Sequence, residues 1–335
     1  MKNGALSLIE CPRDAMQGWP HIIPTEKKVA YINSLLRVGF DTIDFGSFVS
    51  ARAIPQMADT AEVLEGLDRA LISVPGSDPS PTAFDSPSLP SSTASDTSAG
   101  VPSTRHPSTH TPSGTPAGRL HRTRLLAIVA NFRGAEEAAN FDEITYLGFP
   151  FSVSETFQLR NANKTIDGSL ATVEEIQQLC AARQKELVVY ISMGFGNPYG
   201  DPWSEGIVFQ WVDTLTKLGV RIISLADTVG LATPEQVFSL TDYLVRQLPD
   251  HTIGVHLHST AHHWKAKIDA ALQAGCRRFD GALKGIGGCP MAGNELVGNM
   301  DSTLMIPYFE HKGLLSGLDH TALNHSVQLA GEIFV

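Results

Sequence analysis

The sequence predicts an α/β chain folded as a single (β/α)8 barrel (a TIM barrel), and three observations carry that prediction. Eight short apolar runs each precede a segment of helical periodicity. Those runs are continuous rather than alternating in polarity, as expected of parallel strands covered on both faces. The size also fits. Of 335 residues, 288 remain once an aberrant 47-residue segment is set aside, near the roughly 250 residues of a typical barrel of this kind. A doubly wound open sheet would need a Gly-rich turn after the first strand, and here that turn reads Cys11-Pro12-Arg13-Asp14.

The elements follow in order. Ala5–Ile9 is the first strand, and a helix pattern runs from Thr25 through Val38 with Gly39 as its stop. Thr42–Phe45 is the second strand, with a helical stretch near Ala58–Leu67. Leu125–Val129 and the short helix Gly134–Asn140 form the third unit, Ile144–Leu147 and Ser169–Arg183 the fourth. Leu187–Ser192 with Glu205–Leu218 is the fifth. Ile222–Ala226 with Pro234–Leu248 is the sixth, its proline near the first helical position. Ile253–Leu257 and Trp264–Ala274 make the seventh, with Gly275 just beyond the helix. Arg278–Leu283 is the eighth strand, and helices are predicted at Ser302–Phe309 and Leu318–Phe334.

One domain over residues 1–335 is thus interrupted by Ser73–Arg119, in which 12 Ser, 7 Thr, 9 Pro and 4 Gly leave little to bury. Such a composition predicts a disordered insertion. It falls between the second helix and the third strand, on the side opposite the rim where barrels place their chemistry, and reads as a tolerated spacer. A formal net charge of −10 argues against nucleic acid as a partner, because phosphate affinity needs a positive face. No apolar run approaches the roughly 20 residues that span a bilayer, so no membrane partner is expected. Cys11, Cys180, Cys276 and Cys289 are widely spaced without a C-x-x-C pair, which fits a reduced, cytoplasmic protein better than a disulfide framework.

The residues that follow strand ends are the candidates for chemistry. The first strand delivers Arg13 and Asp14, with Gln17 one turn on, and the second delivers Asp44 and then Ser47. The sixth delivers Asp227 and Thr228, the seventh His256 and His258, and the eighth runs into Gly285–Pro290, with Gly298-Asn299 beyond. His256-Leu257-His258 is the sharpest signal: residues two apart on a strand share a face, so both imidazoles can meet one ion. His-x-His alone leaves hydrogen-bonded histidines as good a reading. Asp14 tips the balance toward metal by supplying an anionic oxygen. Arg13 can serve as a positioned cation for a developing oxyanion. Cys289 lies in a glycine-bounded loop that can lower a thiol pKa, although a lone cysteine is commonly a small buried apolar residue. The other three cysteines take that plainer reading.

Together, Arg13-Asp14-x-x-Gln17, Gly46-Ser47-Phe48-Val49-Ser50 with Pro55-Gln56-Met57, Asp227-Thr228-Val229-Gly230, His256-x-His258 and Gly287-Gly288-Cys289-Pro290 resemble the hydroxymethylglutaryl-CoA lyase family. That family belongs to the metal-dependent lyase branch of barrels, and the resemblance spans the chain apart from Ser73–Arg119. It implies that Asp14, His256, His258 and Asn299 hold one divalent cation, Mg²⁺ or Mn²⁺ with Zn²⁺ admissible, and that Arg13 faces a thioester oxygen. It implies that Cys289 lies over the site, and that the segment from Ser154 to Asn163 is a substrate loop whose Arg160, with Asn163, meets the acyl-CoA. Asp44 and Asp227 join the catalytic set. Asp44 stands where the family usually carries glutamate, Gly18-Trp19-Pro20 where it carries a lysine, and Met300-Asp301-Ser302 lacks the family's paired acids. A homodimer is also implied.

The implied reaction is cleavage of 3-hydroxy-3-methylglutaryl-CoA, or a close 3-hydroxyacyl-CoA, to acetyl-CoA and acetoacetate. The metal acts as Lewis acid on the hydroxyl, Arg13 stabilises the enolate oxygen, and His256 or Cys289 returns a proton to carbon. Two alternatives stand behind it. One is a synthase of the same branch condensing an acyl-CoA with a 2-oxo acid; the other is a catalytically silent paralogue acting through protein interaction.

Overall fold

The computed structural model describes residues 6–75, 122–260, 262–288 and 297–335. Cys289 and residues 76–119 of the predicted spacer lie outside the described residues.

Eight parallel strands close on themselves in sequence order. They are β1 (Ser7–Glu10), β2 (Thr42–Phe48), β3 (Arg124–Val129), β4 (Ile144–Ser152), β5 (Glu186–Ser192), β6 (Ile222–Ala226), β7 (Thr252–His256) and β8 (Arg278–Gly281). The last seam pairs Leu8 with Phe279 and Ile9 with Asp280. Between and after them lie α1 (Pro12–Gln17), α2 (Thr25–Val38), α3 (Thr60–Glu65), α4 (Phe132–Ala139), α5 (Glu155–Ala162), α6 (Ile166–Ala182), α7 (Glu205–Lys217), α8 (Pro234–Gln247), α9 (Trp264–Gln273), α10 (Ser302–His311) and α11 (His320–Ile333). No described helix is long and apolar enough to cross a membrane.

Side-chain alternation divides each strand between two cores. Leu125, Leu147, Val189, Ile223, Val255 and Phe279 join the helices in the outer core. Leu126, Tyr146, Val188, Tyr190 and Ile222, with Ile128 against them, form a separate inner cluster. Toward β7, β8, β1 and β2 the interior is polar and charged, and there the chemistry is concentrated. In β2 a register shift between Asp44 and Gly46 matters to the site. Ile43, Phe45 and Phe48 all belong to the outer core, so the bulge leaves Asp44 and Ser47, three apart, on the opposite face.

The helix predicted over 25–38 and the strand over 222–226 have the bounds the pattern gave. Elsewhere the structure corrects the reading. β4, predicted to end at Leu147, continues through Gly148 and Pro150 to Ser152. The stretch read as a polar turn after β1 is helix α1, and α5 occupies the loop before α6. Ser73, read as the first spacer residue, is buried and donates its backbone N–H to Thr123 O at 2.9 Å, beside a parallel bridge between Ile72 and Thr123. The packed barrel therefore extends at least that far.

Candidate active site

The site is assembled from four strand ends. Helix α1 starts immediately past β1, with Pro12 at its first turn and the Cys11 N–H bonded to Gly281 O. Proline there forfeits only an N–H that has no helical partner. The short helix sets Arg13 and Asp14 inward, both buried. Asp14 Oδ1 accepts from Arg13 Nη1 and from Gln17 Nε2, each at 2.9 Å. Its Oδ2 accepts from Asn299 Nδ2 at 2.9 Å and lies 3.8 Å from His256 Nε2. Burial alone would raise this carboxyl, but the charges of Arg13, His256 and His258 and the Asn299 hydrogen bond outweigh it and hold the pKa at about 2.

His256 ends β7, and His258 lies beyond the strand in an antiparallel bridge with Asn299. Their Nε2 atoms face each other at 3.3 Å, so the convergence expected of His-x-His survives the strand's earlier end. Ligand atoms of Asp14, His256 and His258 all lie within 4.8 Å of one another. Two imidazole nitrogens so placed can share at most one hydrogen, whereas a divalent cation accepts a lone pair from each. One carboxylate with two imidazoles is an O/N donor set that suits Mn²⁺, Mg²⁺ or Zn²⁺. Asn299 stands alongside, its Nδ2 held by Ile286 O at 2.9 Å as well as by Asp14. Gly287, at φ +97°, closes over this corner: a Cβ there would come within 2.7 Å of both Asn299 Nδ2 and Asp14 O, so the close approach requires glycine.

The two histidines differ in electrostatics. Burial and the neighbouring His256 lower His258 to about 4, against the pull of Asp14. Burial acts the same way on His256, but its hydrogen bond to Asp280 and the charges of Asp280 and Asp14 reverse the sign, and its pKa is raised. Asp280 Oδ2 lies 3.2 Å from His256 Nδ1. A carboxylate on the far nitrogen of a prospective metal-binding imidazole fixes the tautomer that presents the other nitrogen.

Arg13 is also gripped from β2. Asp44 accepts from Nε at 3.1–3.2 Å and from Nη2 at 2.6 Å. Burial raises Asp44 to about 6 even against Arg13, whereas Arg13, though buried, stays charged between the two carboxylates.

Asp227 sits differently from its predicted companions. Its Oδ1 accepts the Ala232 N–H at 3.0 Å and its Oδ2 pairs with Lys267 Nζ at 2.7 Å. Lys267 also donates to His258 O at 2.7 Å, so the pair braces the main chain under His258. Arg160 and Asn163 are exposed on the connection between β4 and α6. Arg160 stacks over the Tyr199 ring at 4.7 Å, and Asn163, at φ 51°, ends α5. Cys11, Cys180 and Cys276 are buried thiols, and burial pushes the last two up to about 12.

Sequence reasoning missed Asp280, Arg278 and Lys267. Asp280 sits within a run read only as a strand, although its inward parity with Arg278 and its place on the strand next to the His-x-His strand could have singled it out. Lys267 carries no such signal, since on an outer helix it resembles any solvated lysine.

Comparison with known proteins adds a relationship. Residues 120–329 match the family model described as HMGL-like. The chain is 30% identical over 325 residues to the cytoplasmic 3-hydroxy-3-methylglutaryl-CoA lyase of Rattus norvegicus, covering 96% of this chain and 77% of the relative. It is equally 30% identical over 322 residues to the (R)-citramalyl-CoA lyase of Chloroflexus aurantiacus, covering 95% and 88%. Among solved structures, an HMG-CoA lyase from Acinetobacter baumannii in complex with coenzyme A and 3-methylmalate superposes with a TM-score of 0.78 at 28% identity. That match covers 100% of this chain and 92% of the other.

Proposed function

This chain belongs to the HMGL-like family, and from that premise we propose that it is a divalent-metal-dependent lyase that cleaves 3-hydroxy-3-methylglutaryl-CoA, or a close 3-hydroxyacyl-CoA, to acetyl-CoA and an oxo acid. The family's CoA-substrate lyases support an enzyme of this type. The observation that carries the reading is the convergence of Asp14, His256 and His258 within 4.8 Å, next to an arginine held by two carboxylates.

In this proposal Asp14, His256 and His258 hold the cation with Asn299, and the ion, when bound, lowers the pKa of the substrate's tertiary hydroxyl as a Lewis acid. Arg13 engages Asp14 and Asp44 through Nε and one hydrogen of each Nη. The remaining donors of its five-hydrogen fork are left for the thioester oxygen, where charge accumulates as the carbon–carbon bond breaks. Asp44 keeps the guanidinium from turning. Of the two candidates to protonate the enolate carbon, Cys289 is preferred, because His256, with Nε2 toward the cation and Nδ1 at Asp280, has no proton to spare. Arg160 and Asn163 are proposed to meet the CoA, a reading supported by their place on the β4 to α6 connection and by the CoA-bound structural relative. Asp227 is retained in the catalytic set only as the brace of the His258 main chain through Lys267. A cytoplasmic location and a homodimer complete the proposal, the former supported by the cytoplasmic rat relative.

The citramalyl-CoA lyase relative, matched at the same identity, favours a second acyl chain. The deciding experiment offers purified protein each thioester with Mg²⁺ or Mn²⁺, with EDTA as control. Acetoacetate from the first or pyruvate from the second, abolished by EDTA, identifies the substrate. Condensation of acetyl-CoA with a 2-oxo acid would instead reveal a synthase. No metal-dependent turnover of either kind would reject the lyase in favour of an interaction protein.

A further inference from the structure

Below the candidate metal ligands, inside the barrel, lies a buried arginine that the proposed reaction does not use. Arg278 enters from β8, two residues before Asp280 and on the same face, and is 7% exposed. Its Nη1 donates to Asp280 Oδ1 at 2.9 Å, while Asp280 Oδ2 faces His256 Nδ1 at 3.2 Å. The three groups thus form a line from the barrel floor to the ring whose other nitrogen faces Asp14 and His258.

The neighbouring strand is shaped around this arginine. Gly254 is the register partner of Arg278, and a Cβ at 254 would lie 3.1 Å from Cγ, Cδ and Nη1 of Arg278. The Tyr190 ring flanks the guanidinium, whose Cζ is 5.9 Å from the ring centroid. A charged side chain has been accommodated where the other half of the interior carries leucine, isoleucine, valine and tyrosine.

Charge and geometry explain the accommodation. Asp14, Asp44 and Asp280 are all buried around this end of the barrel. Arg13 takes up the first two, so without Arg278 the third carboxylate would keep no cation-bearing side chain but the His256 ring beside it, in a low-dielectric interior where an under-compensated charge is costly. A lone Asp280 could also rotate either oxygen toward His256. With one oxygen engaged, the other is aimed at Nδ1 as an acceptor only.

We propose that Arg278 is a positioning residue: by fixing the orientation of the Asp280 side chain, it holds His256 as the Nδ1–H tautomer and presents Nε2 to the divalent cation, with Gly254 supplying the room. The inference rests on the metal-site reading given above but concerns residues that do not themselves ligate.

Two measurements on the intact protein test it, neither of them turnover. The first is the Mn²⁺ dissociation constant from the free-ion electron paramagnetic resonance signal. The second is the His256 tautomer in the metal-free protein from ¹⁵N ring shifts. Arg278→Met is expected to weaken Mn²⁺ about 10- to 100-fold, the usual cost of losing an outer-shell partner, and to mix the tautomers. Arg278→Lys, which keeps the charge without the fork, is expected to be intermediate and serves if the methionine variant does not fold. Unchanged tautomer and Mn²⁺ affinity in the folded Arg278 variants would overturn the inference and leave the metal site standing. A parent protein that binds no Mn²⁺ would instead reject the metal site, and the tautomer of the lysine variant would still decide the role of Arg278.

Discussion

Asp44 is held by Arg13 in a fork: the single Nε hydrogen is shared between both carboxylate oxygens and Nη2 donates to Oδ2, and both side chains are buried. The bulge in β2 makes this fork possible by leaving Asp44 inward while its apolar neighbours face the helices. Short as it is, the Asp44 side chain reaches the guanidinium at 2.6 Å.

Loss of that fork should impair turnover more than binding. Asp44→Asn keeps the shape but removes the charge that orients Arg13, and kcat is expected to fall about 100-fold with a small change in KM. Because the Asp44 carboxyl is pushed up to about 6 by burial, the parent needs it ionised and should lose activity as pH falls through about 6. The variant should lack that acid limb. A pH–rate profile identical in the two proteins would remove Asp44 from the mechanism.

His258→Ala removes one of two converging nitrogens without disturbing Lys267, which bonds the His258 main-chain oxygen. Metal retention and turnover should fall together, Mn²⁺ affinity by at least about 100-fold. Equilibrium dialysis followed by metal analysis checks the first, and the thioester assay the second. A variant that retains one equivalent of Mn²⁺ at full rate refutes the ligand assignment.

How much of this could be read in the sequence depended on how local each determinant was. The helix over 25–38 was legible because its apolar spacing and Gly39 sit in one window. His256 and His258 were legible because a two-residue spacing carries its own geometry. Helix α1 was not: it has six residues and no side-chain cap, too little for periodicity to register. The Asp280 and Lys267 partnerships join residues 24 and 40 positions apart, and only the packing of neighbouring βα units brings them together. Asp227 shows the converse, a strand-end acid whose oxygens are taken by a helix lysine and a loop amide.

The segment after Ser73 offers a test of modularity. Ile72 and Thr123 bridge in parallel, and Ser73 bonds to Thr123, so the barrel is already joined across the two ends of the insertion. Replacing residues 76–121 with a Gly/Ser linker of about eight residues should leave kcat within about twofold and Tm within a few degrees, since closure cost grows only logarithmically with loop length. A large loss of turnover in a folded deletant would assign the segment a function.

The last prediction concerns stability and a carboxyl outside the reaction. Glu10, at the end of β1, is fully buried; its Oε1 accepts the Leu283 N–H at 2.7 Å and its Oε2 the Ser302 hydroxyl at 2.5 Å. It thereby ties together the two ends of the connection that carries Asn299. Burial raises its pKa to about 8, with the two hydrogen bonds opposing and Asp301 adding to the rise. The folded protein therefore holds a proton that the unfolded chain releases above the ordinary value of 4.5. Stability from this group is complete below about 4.5 and declines as pH rises toward about 8, by up to about 1.4 kcal/mol per pH unit. Glu10→Gln keeps the acceptor for Leu283 and cannot ionise, so it should flatten that decline and be more stable than the parent at pH 8.5. Urea unfolding of both proteins between pH 5 and 9 measures the difference, and parallel pH slopes would show that Glu10 is ionised in the folded state throughout.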